Sequence, residues 1–129
     1  MPINFPNKPG IVAYLTAGDP DLATTRDIAL AAIDNGADVI ELGVPFSDPL
    51  ADGPVIQRAS ERAVARGVRL TDVLALAKDL RQARPSAGLV LFSYLNPVVK
   101  LGMQPFCEQA AAAGIDGVLL TDMIVEEAA

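Results

Sequence analysis

Three carboxylates close together in the chain, Glu41, Asp48 and Asp52, are the residues best suited to chemistry. Glu41 stands inside the apolar run of residues 39–42, which is typical of a buried strand, and a loop rich in Pro, Gly and Asp follows it. A carboxylate among aliphatic side chains costs several kcal/mol unless the protein satisfies it or uses it. An acid in such surroundings keeps its proton to higher pH and can donate it near neutrality. We therefore predict that Glu41 is catalytic.

The alternative role for Glu41 is an ion pair with a cation on a neighbouring strand. The chain has ten Lys and Arg residues, and none of them falls within the predicted strands, so that pairing is the weaker interpretation. For Asp52 the spacing leaves two roles open, a catalytic carboxylate like Glu41 or a turn or helix-cap residue before Gly53 and Pro54. Asp48 precedes Pro49 and is more typical of a turn.

Other polar and aromatic residues stand where the remaining predicted strands end. They are Thr16 and Asp19, Tyr94 and Asn96, and Asp122. Because the carboxyl ends of parallel strands share one edge, where α/β proteins bind their ligands, we expect these residues to cluster. Tyr94 would either line the pocket or belong to the core, and Asp122 would either contact a ligand or cap the helix predicted after the fourth strand.

Composition removes several classes of function. The sequence contains no histidine, which excludes for it Ser-His-Asp and Cys-His nucleophilic catalysis and His-containing zinc sites. The net charge of −6 argues against nucleic-acid binding. The single cysteine, Cys107, cannot form an internal disulfide, and we predict a buried or half-buried, inert thiol on a helix. No apolar run reaches the length of a membrane span. With no export signal recognised and a single cysteine, the cytoplasm is the expected compartment.

The elements that must position these residues alternate between short apolar runs and helical patterns. Strands are predicted at residues 11–15, 39–42, 89–92 and 117–120. Helices are predicted at about residues 22–35, 55–65 and 103–113, and a further helix, capped by Thr71, ends before Pro85. Glu126 and Glu127 are predicted to open a last helix.

A weak internal sequence repeat supports this division of the chain. Residues 36–40 resemble residues 114–118, each with a helix stop, a short turn and a buried strand. Repeated β-then-α units predict an α/β fold with a parallel sheet. Four such units form either an open doubly wound sheet or half of a (β/α)8 barrel, and no linker divides the 129 residues into two domains.

Three segments resemble one known family. Residues 41–54, which read ELGVPFSDPLADGP, resemble the signature segment of the tryptophan synthase alpha chain family. Residues 14–20 resemble that family's first strand and turn, and residues 94–97 are similar to its third-strand motif. The likeness runs over essentially all of the chain. Because a complete barrel needs about 250 residues, it implies that residues 1–129 form one incomplete (β/α)8-barrel domain, the first four β/α units of a TIM barrel.

The resemblance also implies an activity. The family is a lyase that cleaves indole-3-glycerol phosphate to indole and glyceraldehyde 3-phosphate in tryptophan biosynthesis, by a retro-aldol step. By the family motif, Glu41 is the acid–base that protonates the indole ring carbon, and Asp52 stabilises the positive charge at the indole nitrogen. Tyr14 matches an aromatic position that packs on the indole, with Tyr94 nearby, and Asp122 completes the expected substrate-binding residues.

The same resemblance implies partners. It predicts no cofactor on this chain, because pyridoxal phosphate is carried by a beta chain with which the family forms a heterotetramer. Pro45, Asp48 and Asn96 match regions that face this partner. A half-barrel would leave its first and fourth strands as open edges, so self-association is also predicted. The alternative function is an inactive module that only self-associates or binds a partner.

Overall fold

Four parallel strands lie side by side in the order of the chain in the computed structural model, which describes residues 3–6, 9–124 and 126. The strands are β1 (Val12–Thr16), β2 (Val39–Gly43), β3 (Gly88–Ser93) and β4 (Gly117–Leu120). The helices are α1 (Leu22–Asp34), α2 (Pro54–Ala65), α3 (Leu70–Ala83), α4 (Leu95–Leu101) and α5 (Met103–Ala112). A doubly wound sheet would place its first strand in the middle, so the order β1-β2-β3-β4 favours the barrel alternative.

The two faces of the sheet have different surroundings. Side chains alternate between the faces along each strand, and the residues Ile40, Leu42, Leu89 and Leu91 are fully buried beneath the helices. The other face, which we call the open face, carries Val12, Tyr14, Glu41, Val90, Phe92 and Leu119. Val12 is 49% exposed and Leu119 is 42% exposed, at the two edges of this face. The core therefore lies between the sheet and its helices.

The predicted strands agree with the observed ones to within one residue at each end, but one predicted cap is wrong. Helix α3 begins at Leu70, so Thr71 lies inside its first turn instead of capping it. The cap residue is Arg69, whose backbone N–H donates to the Asp72 carboxylate at 2.9 Å. Leu70 is buried whereas Thr71 is exposed, and burial of that leucine places the helix start one residue earlier.

Helix α4 was not predicted, because residues 94–97 were interpreted only as the end of a strand. Pro97 lies in the first turn of α4, where its missing N–H leaves no hydrogen bond unmade. Gly102, at φ 103°, ends α4 and directly precedes α5. Only glycine adopts this conformation without strain, so the two helices can follow each other without a connecting loop.

The prediction that Cys107 is buried or half-buried is wrong. The thiol is exposed on α5, because the face of that helix that meets the core carries Phe106 and Ala110. The helix predicted at Glu126 and Glu127 falls outside the described residues, apart from Glu126 itself. Among the described residues no helix is both long enough and apolar enough to cross a membrane.

The sequence repeat has a counterpart in the hydrogen bonds. Asp38, just before β2, accepts the backbone N–H of Ile11, just before β1, at 2.8 Å. Asp116, just before β4, accepts the backbone N–H of Leu89, in β3, at 2.9 Å. In both repeats, an aspartate ahead of one strand binds the backbone of the preceding strand at the amino end of the sheet.

Candidate active site

Glu41 projects from the middle of β2 onto the open face. It is half-buried, and the strand register places it level with Tyr14 of β1 and Val90 of β3. Within the part of the chain that the structure describes, its carboxylate has no hydrogen bond and no ion pair with another side chain. A carboxyl group placed in this way is free to contact a ligand on the open face.

Tyr14 packs beside Glu41 on the same face. Its ring meets Phe92 edge to face, with 5.3 Å between the ring centres, and its hydroxyl accepts a hydrogen bond from the Thr16 hydroxyl at 3.3 Å. The phenol lies over Gly43, where an added Cβ would come within 2.1 Å of the Tyr14 oxygen. Only glycine leaves room for the ring at this position, so Gly43 is a requirement of the site.

The electrostatics of Tyr14 show which acids lie near it. Burial raises the pKa of Tyr14, the Thr16 hydrogen bond works against that rise, and the negative charges of Asp52 and Glu41 add to it. Both carboxylates are therefore within electrostatic reach of one phenol, although they come from a strand and from the loop after it.

The loop of residues 44–53 carries Asp52 from β2 to α2. The Asp52 backbone N–H donates to the Pro49 carbonyl at 3.1 Å, and the Gln57 side-chain amide donates to the Asp52 carbonyl at 2.8 Å. Helix α2 is capped by Gly53 and has no side-chain cap. The Asp52 carboxylate is therefore not a helix cap, and it is half-buried at the site.

Tyr94 lies beneath this loop and is 5% exposed. Its hydroxyl oxygen accepts the Ala51 backbone N–H at 2.8 Å, and its ring stacks on Phe46 with the centres 5.1 Å apart. Burial raises the pKa of Tyr94, and the nearby Asp52 charge adds to the rise against the opposing effect of the Ala51 hydrogen bond. The Tyr94 ring therefore belongs to the core, and its hydroxyl contacts the loop.

The remaining predicted residues lie at the same end of the sheet. The Asp122 carboxylate, which is exposed, accepts the Leu95 backbone N–H at 2.7 Å and so caps α4. Asp48 and Asn96 are exposed, whereas Pro45 is buried. Pro45 therefore shapes its loop from within and offers no side-chain surface to a partner.

The structure brings Tyr14, Glu41, Asp52 and Tyr94 together, and leaves Asp122 and Asn96 farther along the same edge. Sequence reasoning missed Gly43, Gln57 and the Ala51 backbone, which were not candidates by residue type. The only sequence signal for Gly43 was its place inside the 41–54 motif. Among the described residues, no group of three or more Cys, Asp or Glu residues could hold a metal ion.

A cleft of about 220 Å³ opens beside this group, between β1, α1 and α2. It is lined by Tyr14, Thr16, Asp19 and Val55 among others, but not by Glu41 or Asp52. Asp19 is held there by Arg62 of α2 through bonds of 2.8 and 2.9 Å, which lower the pKa of its carboxyl group. The cleft lies at the β1 edge, so the open face around Glu41 defines the site better than the cleft does.

Comparisons with known proteins agree on one family. The family model described as tryptophan synthase alpha chain matches residues 3–129. The tryptophan synthase alpha chain of Burkholderia lata is 54% identical over 121 residues, which are 94% of this chain and 45% of the relative.

Solved structures give the same result. The tryptophan synthase alpha subunit of Legionella pneumophila superposes with a TM-score of 0.90 at 44% identity, covering 92% of this chain and 45% of that one. A chain of the tryptophan synthase complex of Pyrococcus furiosus superposes at 0.87 with 41% identity, covering 93% and 49%. This chain thus spans somewhat less than half the length of the relatives that it matches.

Proposed function

This chain belongs to the tryptophan synthase alpha chain family and forms half of its barrel, and from that premise we propose that its open face is the catalytic half-site of an indole-3-glycerol phosphate lyase. The observation that carries the proposal is the half-buried carboxylate of Glu41 level with Tyr14 on the open face, with the loop that carries Asp52 held by Tyr94 at the same end of the sheet. One carboxyl group that exchanges a proton and a second that stabilises developing positive charge are what acid–base cleavage of this kind needs.

The reaction breaks the bond between the indole ring carbon and the glycerol chain. The ring carbon must gain a proton, and the hydroxyl on the departing carbon must lose one as that carbon becomes an aldehyde. Glu41, once protonated, supplies the first proton, and the carboxylate that remains accepts the second. Asp52 stabilises the positive charge that develops at the ring nitrogen, which is electrostatic stabilisation of the transition state.

The aromatic side chains form the wall of the substrate pocket in this proposal. Tyr14 packs against one side of the indole and is supported edge to face by Phe92. The Tyr94 ring borders the pocket from beneath the loop, and Asp122 reaches the substrate only from the edge of the site. No cofactor takes part in these steps.

The proposed partner is a beta chain that carries pyridoxal phosphate, within a heterotetramer in the cytoplasm. One relative of known structure is described as a tryptophan synthase complex. Asp48 and Asn96 are exposed near the site and are proposed to meet that chain.

A second candidate function is that of a self-associating module without catalysis. The specific observation in its favour is the open face, whose apolar side chains Val12 and Leu119 are exposed at the sheet edges. Such edges pair with other chains.

The lyase proposal is tested with a chimaera in which this chain is joined to the remaining part of the Burkholderia lata relative. We expect the chimaera to release indole from indole-3-glycerol phosphate, with the intact Burkholderia protein as the positive control. A folded chimaera that releases no indole, beside an active control, would contradict the proposal and favour the module.

A further inference from the structure

The loop that carries Asp52 is fastened at two places. From α2, the Gln57 amide donates to the Asp52 carbonyl at 2.8 Å and to the Pro49 carbonyl at 3.2 Å. From the end of β3, the Tyr94 hydroxyl accepts the N–H of Ala51, the residue directly before Asp52. The Ala51 bond is therefore the contact that fixes the peptide carrying the Asp52 side chain to the sheet.

Tyr94 is itself held on three sides. Its ring is buried and stacks on Phe46, with the ring centres 5.1 Å apart. Its backbone is fixed because Tyr94 is the residue that directly precedes α4. The first N–H of that helix, from Leu95, is bound by the Asp122 carboxylate after β4. A short series of contacts therefore runs along the sheet edge from the end of β4, through the start of α4, to the loop after β2.

The hydroxyl group of Tyr94 has its oxygen occupied by the loop. Tyr94 is 5% exposed. After the larger effect of burial, the charge of the nearby Asp52 carboxylate also raises the pKa of Tyr94. Because the hydroxyl oxygen already accepts the Ala51 N–H and points at the loop, it is poorly placed to bind a substrate.

We propose that Tyr94 is a positioning residue, whose hydroxyl holds the loop so that the Asp52 carboxylate faces the open side of the sheet beside Glu41. Asp122 supports it by capping α4. The consequence for catalysis rests on the proposed lyase function, but the fastening of the loop does not.

The first test uses NMR to measure hydrogen exchange at the Ala51 amide in the 129-residue chain. Tyr94→Phe removes the hydroxyl and keeps the ring, so we expect protection of Ala51 to fall roughly three- to tenfold, as the loss of one hydrogen bond predicts. Tyr14→Phe is the matched control, because it removes a tyrosine hydroxyl that binds Thr16 and not the loop.

Unchanged protection of Ala51 in Tyr94→Phe, with the protection of the β2 core intact, would overturn the proposal. If Tyr94→Phe does not fold, Phe46→Leu takes its place. It removes the ring that stacks on Tyr94, and the same fall in Ala51 protection is expected, with no fall overturning the proposal.

The second test uses the chimaera and separates a role through Asp52 from direct contact with the substrate. We expect Tyr94→Phe to lower kcat about tenfold with little change in KM, and to have at most a twofold effect when Asp52→Asn is already present. Equal losses in both backgrounds would overturn the positioning role. If the chimaera makes no indole, the lyase proposal fails while the exchange measurement still decides the role of Tyr94.

Discussion

Two carboxylates and two phenols share a small region at the scale of single residues. Tyr14 is raised in pKa by burial and then by Asp52 and Glu41, and Tyr94 by burial and then by Asp52. The two acids therefore disfavour any further negative charge between them. A cation or a developing positive charge is favoured there instead, which suits a ring nitrogen that becomes positive during cleavage.

The tyrosines provide a direct spectroscopic check of this environment. The chain has two tyrosines and no tryptophan, so ultraviolet titration of tyrosinate reports on Tyr14 and Tyr94 alone. Because both pKa values are raised, we expect the titration of the folded chain to lie above the ordinary tyrosine value of about 10. The variants Tyr14→Phe and Tyr94→Phe assign the two groups.

The raised pKa values of the two tyrosines also determine how the stability of the chain changes at high pH. Above about pH 10 the unfolded chain loses phenolic protons that the folded chain keeps. The free energy of unfolding should therefore fall as the pH rises past that value, and the fall should be smaller in either Phe variant. A folded chain whose tyrosines titrate at the ordinary value would contradict the described site.

At the scale of helices and strands, some parts of this arrangement can be predicted from neighbouring residues and others cannot. Strands β2 and β4 were predicted closely because each is an apolar run bounded by turn residues, which is a local pattern. Helix α4 was missed because its first N–H is satisfied by Asp122, 27 residues away. The choice between a cap and a site residue for Asp52 also depended on Tyr94 and Gly53, whose placement no spacing reveals.

The second repeat also contains a buried tie that joins three elements. The Arg81 guanidinium of α3 donates to the Gly114 carbonyl at 2.8 Å, to the Ala87 carbonyl at 2.6 Å and to the Asp116 carboxylate at 2.7 Å. The Asp116 side chain is 5% exposed. This tie holds α3 against the turns that lead into β3 and β4, so it positions the strands whose far ends form the site.

Replacement of Arg81 tests that role. Arg81→Met keeps much of the side-chain length but leaves the buried Asp116 and three carbonyl groups, those of Pro85, Ala87 and Gly114, without this donor. We expect the free energy of unfolding, measured in urea, to fall by about 3 kcal/mol. Arg84→Met is the matched control, since Arg84 pairs with the exposed Asp34 and should contribute much less. If both changes lower the free energy of unfolding equally, the proposed role of Arg81 in holding α3 against these turns is wrong.

The described residues of the chain form a four-stranded sheet with helices on one face and, on the open face, Glu41 among mostly apolar side chains. Its relatives are about twice as long, and the sequence predicted this half-barrel from the four β/α units and the family motif together. Neither the strand order nor the side on which Glu41 projects was available from periodicity alone, because a doubly wound sheet has the same succession of elements.

Self-association is the expected behaviour of this chain by itself. Sedimentation velocity should show dimers or larger species, because pairing at β1 and β4 covers Val12 and Leu119. Val12→Lys should shift the chain toward the monomer by placing a charge on the edge. Val64→Lys, an exposed position on α2, is the control and should not. A stable monomer without these changes would contradict the expectation.

The central claim is that Glu41 delivers the proton that cleaves the substrate, and the rate of indole release by the chimaera tests it most directly. Glu41→Gln keeps the size of the side chain but cannot supply that proton, so kcat should fall by roughly 10²–10⁴-fold. Glu61→Gln makes the same change at an exposed position on α2 and should leave kcat within about twofold. Turnover of the Glu41→Gln chimaera equal to that of the unchanged chimaera would contradict the claim.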